Sequence, residues 1–127
     1  MSILRPKIIA VDFDGTIDNG RWDPDPENCF YKINNKAIDV LTRFQKSGGI
    51  VILWTCRSGR FLKDAVIECK KRGLTFDAIN TNHTSVYEWA DTFNSPKIFA
   101  EMYIDDRNQF PSGVDWKEID KILNPSD

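Results

Sequence analysis

Two continuous apolar runs, each ending abruptly at a polar residue, constrain the fold of this chain more than any other feature. Ile8-Ile9-Ala10-Val11 stops at Asp12, and Ile50-Val51-Ile52-Leu53-Trp54 stops at Thr55. A run without polar alternation suits a strand covered on both faces, as in a parallel sheet. Shorter signals of the same kind are Phe76-Asp77-Ala78-Ile79 ahead of Asn80, and Met102-Tyr103-Ile104 ahead of Asp105-Asp106. Between them the apolar period becomes helical. Ile38, Leu41 and Phe44 follow a cap at Asn34 or Asn35 and precede Gly48-Gly49. Phe61, Leu62, Ala65, Val66 and Cys69 follow the candidate N-cap Ser58, with Lys70, Lys71 and Arg72 in the last turn before Gly73. A short helix is expected over 84–93 and a closing one over 116–123. Strands alternating with helices imply βαβ units with right-handed crossovers. The expected fold is a three-layer α/β/α, Rossmann-like domain with a mainly parallel central sheet.

At 127 residues the chain fits a single domain over 1–127, without room for a second core. With 41% hydrophobic and 28% charged residues, its composition is that of a soluble globular protein. Gly20, Pro24 and Pro26 make 18–33 a loop, but one carrying Arg21, Trp22, Phe30 and Tyr31. That loop and 81–96 are both too short to hold a further domain. A net charge of −2 offers no global attraction to nucleic acid or to an anionic membrane. Cys29, Cys56 and Cys69 cannot all pair within the chain; Cys56 and Cys69, in apolar contexts, read as small core residues. Residues 1–7 are too polar for a signal peptide, and no run approaches a membrane span. A reducing, cytoplasmic setting is therefore expected.

In parallel sheets ligands bind beyond the carboxyl ends of the strands, where the strand order switches. Asp12 and Asp14 follow the first strand, Thr55 the second, and Asp105 and Asp106 the fourth, so the fold gathers scattered residues into one candidate site. Carboxylates that close oppose one another's ionisation, and a divalent cation removes the penalty. Hard oxygen ligands with room for water suit Mg²⁺. Hydrolysis of a phosphate ester needs an in-line nucleophile, charge stabilisation on the phosphoryl oxygens and a proton for the leaving group. Two aspartates one residue apart can divide the first and last of these tasks. Gly15 permits a tight turn that brings backbone N–H groups towards phosphate. Thr55 supplies a hydroxyl from the neighbouring strand.

Asp12-Phe13-Asp14-Gly15-Thr16-Ile17 after an apolar strand resembles the first motif of the haloacid dehalogenase (HAD) superfamily. Thr55 resembles its second motif, Lys97 the lysine of its third, and Asp105-Asp106 its fourth in paired-aspartate form. Together these span about Ile8 to Arg107. The resemblance implies a capless, Mg²⁺-dependent phosphomonoesterase acting through an aspartyl-phosphate on Asp12. Asp14 would act first as general acid and then as base, its backbone carbonyl binding the metal. Thr55 and Lys97 would hold phosphoryl oxygens, while Asp12, Asp105 and Asp106 complete the metal site, with Asp106 favoured as the direct ligand. Arg57 and Arg107 each follow a motif residue and are candidates for phosphate or substrate contact, or for surface ion pairs; Lys63 is a weaker substitute for Lys97. The 18–33 loop is a candidate flap beside the site.

Two other readings stand beside this one. A receiver-like phospho-acceptor domain also places acids, a threonine and a lysine at strand ends, but carries its acceptor after the third strand, where this chain has Asn80. A non-catalytic phosphate- or metal-binding relative is the other. His83 receives no role, and Trp54 and Trp116 read as packing residues. The expected partner is a small phosphorylated substrate. A nucleic-acid end shares some features but has no support from charge. An open site gives a motive for a homo-oligomer in which one copy covers the other.

Overall fold

The computed structural model describes residues 5–86, 95–108 and 113–125. Strand β1 (Ile8–Val11) is buried at every position, because it pairs in parallel with β2 (Ile50–Leu53) on one side and β4 (Met102–Ile104) on the other. β2 pairs in turn with β3 (Ala78–Ile79), giving a four-stranded, parallel sheet of order β3-β2-β1-β4. The α/β class and the parallel sheet are as expected. The chain moves outward from β1 to β2 and β3, then returns to add β4 on the far side of β1. The switch point therefore lies between the ends of β1 and β4.

Among the described residues, α1 (Asn35–Lys46) joins β1 to β2, α2 (Gly59–Lys70) follows β2, and α3 (Trp116–Leu123) follows β4. Asn34 starts α1 by accepting the Ala37 N–H, and Asp115 starts α3 by accepting those of Lys117 and Glu118. Ser58 occupies the N-cap of α2 without a side-chain cap bond. Ile9, Val11, Val51, Leu53 and Ile104 share a core with Leu41 and Phe44 of α1, Ala65 and Cys69 of α2, and Trp116, Ile119 and Leu123 of α3. Burying a side chain of this size contributes roughly 2 kcal/mol. Ile8, Ala10 and Ile52, which alternate with the first set, pack instead with Val86 and Ile98. Both sheet faces are thus covered. The short helix expected over 84–93 lies largely outside the described residues.

Three local expectations change. β3 is shorter than the sequence pattern, because the Asp77 carboxylate takes the Val51 N–H that a backbone carbonyl would take in the ladder, at 2.8 Å. The 18–33 segment is a paired ribbon rather than an irregular loop. Arg21 and Phe30 exchange both backbone bonds, and Asn19 N–H reaches the Lys32 carbonyl. Gly20 makes that pairing feasible, since a Cβ there would meet the Phe30 carbonyl oxygen at 2.2 Å. Cys56 is exposed, not core, because it sits past the end of β2, where the buried run has stopped; Cys69 is buried as expected. No helix among the described residues is long and apolar enough to cross a membrane.

Candidate active site

The ends of β1 and β4 bring three carboxylates together. Asp12, Asp105 and Asp106 each offer an oxygen within 4.8 Å of the other two. The ladder fixes this meeting: Val11 pairs with Ile104, and Asp12 N–H donates to the Ile104 carbonyl at 2.9 Å. Thr16 then ties the two loops together. Its hydroxyl donates to Asp12 Oδ2 at 3.4 Å and accepts the Asp106 N–H at 3.0 Å, while its own carbonyl accepts the buried Trp116 indole N–H. Gly15, at φ +79°, lies against Asp106; a Cβ there would come within 2.2 Å of Asp106 Oδ2. A side chain at that position would push the Asp106 carboxylate out of place.

Burial raises the Asp12 carboxyl to about 7, with the Asp105 charge adding to the rise, the Phe13 N–H opposing it and Asp106 reinforcing it. Asp106 Oδ1 is buried and has no hydrogen-bond partner among the described residues. A buried acceptor without a donor costs about 1–3 kcal/mol, and a bound cation would satisfy it. Three convergent carboxylates, one of them orphaned and one driven towards its protonated form, fit a hard divalent cation held by oxygen.

Asp14 stands apart from that cluster. Its two oxygens accept a fork from Arg57, Nε to Oδ2 at 2.9 Å and Nη2 to Oδ1 at 2.8 Å. The Arg57 side chain is only 5% exposed against 42% for Asp14, so the pair is a buried cation holding a solvent-facing carboxylate. The guanidinium lies 4.8 Å from the Phe13 ring centre and 5.5 Å from that of Tyr31. Nη1 donates to the Tyr31 hydroxyl and the Phe61 carbonyl. Burial works against the Arg57 charge, but its bonds to Asp14 and Tyr31 outweigh that and hold its pKa above the usual range. Four of the five guanidinium N–H groups are committed.

A cavity of about 670 Å³ opens over these groups, lined by the four acids, Gly15, Arg57 and Arg107, with Cys56, Ser58, Trp22 and Phe61. The remaining candidates lie elsewhere. Thr55 is not among the lining residues; its hydroxyl accepts the Arg57 N–H at 3.1 Å, in the turn that leads to α2. Asn80 clamps its backbone, accepting Thr55 N–H and donating to Thr55 C=O. Lys97 is exposed, with its ammonium 5.1 Å from the Tyr103 ring centre, and it does not line the cavity either. Of the flap candidates, only Trp22 faces the cavity. Tyr31 lies beneath Arg57, and Arg21 pairs with Asp23 at 3.7 Å. His83 is engaged in a local turn with Ser85. Sequence reasoning gave Thr16 and Asn80 no part. The hydroxyl four residues after Asp12 was a signal for the first, whereas Asn80 needed the neighbouring strand to be visible.

No protein-family model matches the chain, and no curated protein does. Among solved structures, a conserved protein from Bacteroides thetaiotaomicron is 31% identical at a TM-score of 0.70, over 94% of this chain and 91% of its own. A hypothetical protein from Xanthomonas campestris is 18% identical at a TM-score of 0.50, over 83% of this chain and 57% of that one, which shows the fold alone. The 3-deoxy-D-manno-octulosonate 8-phosphate phosphatase of Moraxella catarrhalis, in complex with magnesium, phosphate and KDO, is 17% identical at a TM-score of 0.48, over 83% of this chain and 60% of that one. A likeness that slight carries no weight for the site.

Proposed function

We propose that this chain, which belongs to the same family as the conserved Bacteroides thetaiotaomicron protein, is a Mg²⁺-dependent phosphomonoesterase of the HAD type with Asp12 as its nucleophile. The observation that carries this reading is the convergence of Asp12, Asp105 and Asp106 at the switch point, with Asp106 Oδ1 buried and unpartnered among the described residues, beside a separately held Asp14. Asp12, Asp105 and Asp106 would hold the cation, which when bound offsets their mutual repulsion and the charge on the phosphoryl oxygens.

The residues of the chain divide the remaining work. Asp12 attacks phosphorus, forming an acyl-phosphate bond as the bond from phosphorus to the ester oxygen breaks. Asp14 gives the leaving oxygen its proton, then takes one from the water that attacks phosphorus and frees Asp12. Arg57 acts on this chemistry through Asp14, whose orientation the fork fixes. Its committed N–H groups favour this positioning part over the phosphate contact expected from its place in the sequence. The parts of Thr55 and Lys97 as phosphate donors rest on the resemblance alone, since neither lines the cavity.

The test is hydrolysis of a simple phosphomonoester with Mg²⁺, with chelator, and by Asp12→Asn and Asp14→Asn proteins. Turnover should require Mg²⁺, fall at least about a thousand-fold in Asp12→Asn, and fall by about 10²–10⁴ in Asp14→Asn. Turnover that survives Asp12→Asn would overturn the mechanism. Tight Mg²⁺ binding without turnover of any phosphomonoester would leave a metal-binding relative instead.

A further inference from the structure

The cavity is larger than a phosphoryl group and a cation require. Its volume of about 670 Å³ falls in the range that takes a ligand with a substantial organic part. Its acids are gathered at the strand ends, and its large apolar surfaces come from two aromatic rings, Trp22 of the ribbon and Phe61 in the first turn of α2. Those rings lie 5.6 Å apart, tilted at 56°, so each keeps a face or edge free of the other. Trp22 is 48% exposed although a fully apolar neighbour stands beside it. Burying so large a ring only halfway leaves apolar area in contact with water, at a place continuous with the carboxylate cluster.

The ribbon that carries Trp22 is not loose. Asp18, buried at its base, accepts both Gly20 N–H at 3.1 Å and Lys32 N–H at 2.7 Å. Arg21 and Phe30, flanking the tip, exchange two backbone bonds. The backbone that carries the indole is therefore held in place, which lowers the conformational cost of using this segment for recognition. We infer that Trp22 and Phe61 form a subsite for the leaving group, and that the substrate is a phosphomonoester whose leaving group carries a flat aromatic ring. This rests on the phosphohydrolase reading for the placement of phosphate, but its test does not need turnover.

Binding of phenylphosphonate and methylphosphonate in the presence of Mg²⁺ is to be compared by calorimetry on wild-type, Trp22→Ala and Trp22→Phe proteins. Wild type should prefer the phenyl compound by about tenfold or more; Trp22→Ala should remove most of that preference, and Trp22→Phe should restore much of it. Adenosine 5′-monophosphate, bound to the Asp12→Asn protein with and without Trp22→Ala, separates a ring on the ester oxygen from one carried beyond a sugar. A Trp22-dependent gain in either arm supports the subsite. Equal affinity for the two phosphonates with no Trp22 effect on the nucleotide, or no binding of any of the three, overturns it. Failure of Asp12-dependent hydrolysis alongside an intact ring preference would reject the enzyme reading and leave the subsite standing. The opposite pattern would do the reverse.

Discussion

Asp12 lies part-buried between two further carboxylates, and burial followed by the Asp105 charge lifts its carboxyl from 3.8 to about 7. Between those two values the folded chain holds a proton that the unfolded chain has released. This group therefore stabilises the fold fully below pH 3.8 and loses that contribution as pH rises through about 7. A cation needs the ionised carboxylate, so its stabilising effect grows across the same window. The thermal midpoint of metal-free protein, as far as Asp12 governs it, should fall between about pH 5 and pH 8. Added Mg²⁺ should raise the midpoint more at the upper end than at the lower. Asp18, also raised by burial, acts with the same sign, so comparison with Asp12→Asn isolates the Asp12 part. A Mg²⁺ shift that is larger at the acid end would contradict the assignment of Asp12 as a ligand.

The ribbon over 18–33 depends on one side chain more than on its own ladder. Asp18 is 3% exposed, and one of its oxygens satisfies two backbone N–H groups, those of Gly20 and Lys32. Asp18→Ala strands both donors, and each stranded donor costs about 1–3 kcal/mol. A loss of roughly 2–3 kcal/mol in urea unfolding is expected, together with faster proteolysis within the ribbon. Asp18→Asn keeps an oxygen in place and should cost under about 1 kcal/mol. An Asp18→Ala protein as stable as wild type would mean that the ribbon is held by other contacts, such as the Trp22–Phe61 pair. The α2 start works alongside this element. The Phe61 carbonyl receives Arg57 and the Phe61 ring receives Trp22, so one residue couples the carboxylate positioner to the ribbon.

Across the whole molecule the sheet order grades stability. β1 is paired on both sides and buried throughout, whereas among the described residues β3 is a two-residue edge bonded to β2 alone. Amide exchange should be slowest at Ile9, Ala10 and Val11, close to the global unfolding limit, and faster at Ala78 and Ile79. Comparable protection of the two strands in native-state exchange would argue against this order. Slow exchange at β1 also matches the needs of the site. Asp12 and Asp14 are set by the strand least able to move, and the Asp12 N–H bond to Ile104 joins that strand to the one carrying Asp105 and Asp106.

The strand ends were legible because a buried parallel strand leaves a periodless apolar run, and the residue that ends it must turn towards solvent or ligand. That property alone singled out Asp12, Asp14, Thr55, Asp105 and Asp106. It also found β1, β2, β4 and all three helices, whose apolar stripes and caps are local features. What lay beyond it depends on contacts between residues distant in the chain. The use of Arg57 follows from the side chains of Asp14, Phe13 and Tyr31 meeting around it, 43 positions from the nearest acid it holds. The ribbon depends on pairing across 18–33 that no periodicity marks, and the length of β3 on a carboxylate that replaces a backbone acceptor. The exposure of Cys56 and the position of Lys97 over Tyr103 depend on where the sheet stops and which face each connection crosses. One-dimensional pattern reports burial and period, while hydrogen-bond partners and ring contacts arise only when the sheet order brings distant segments to one end.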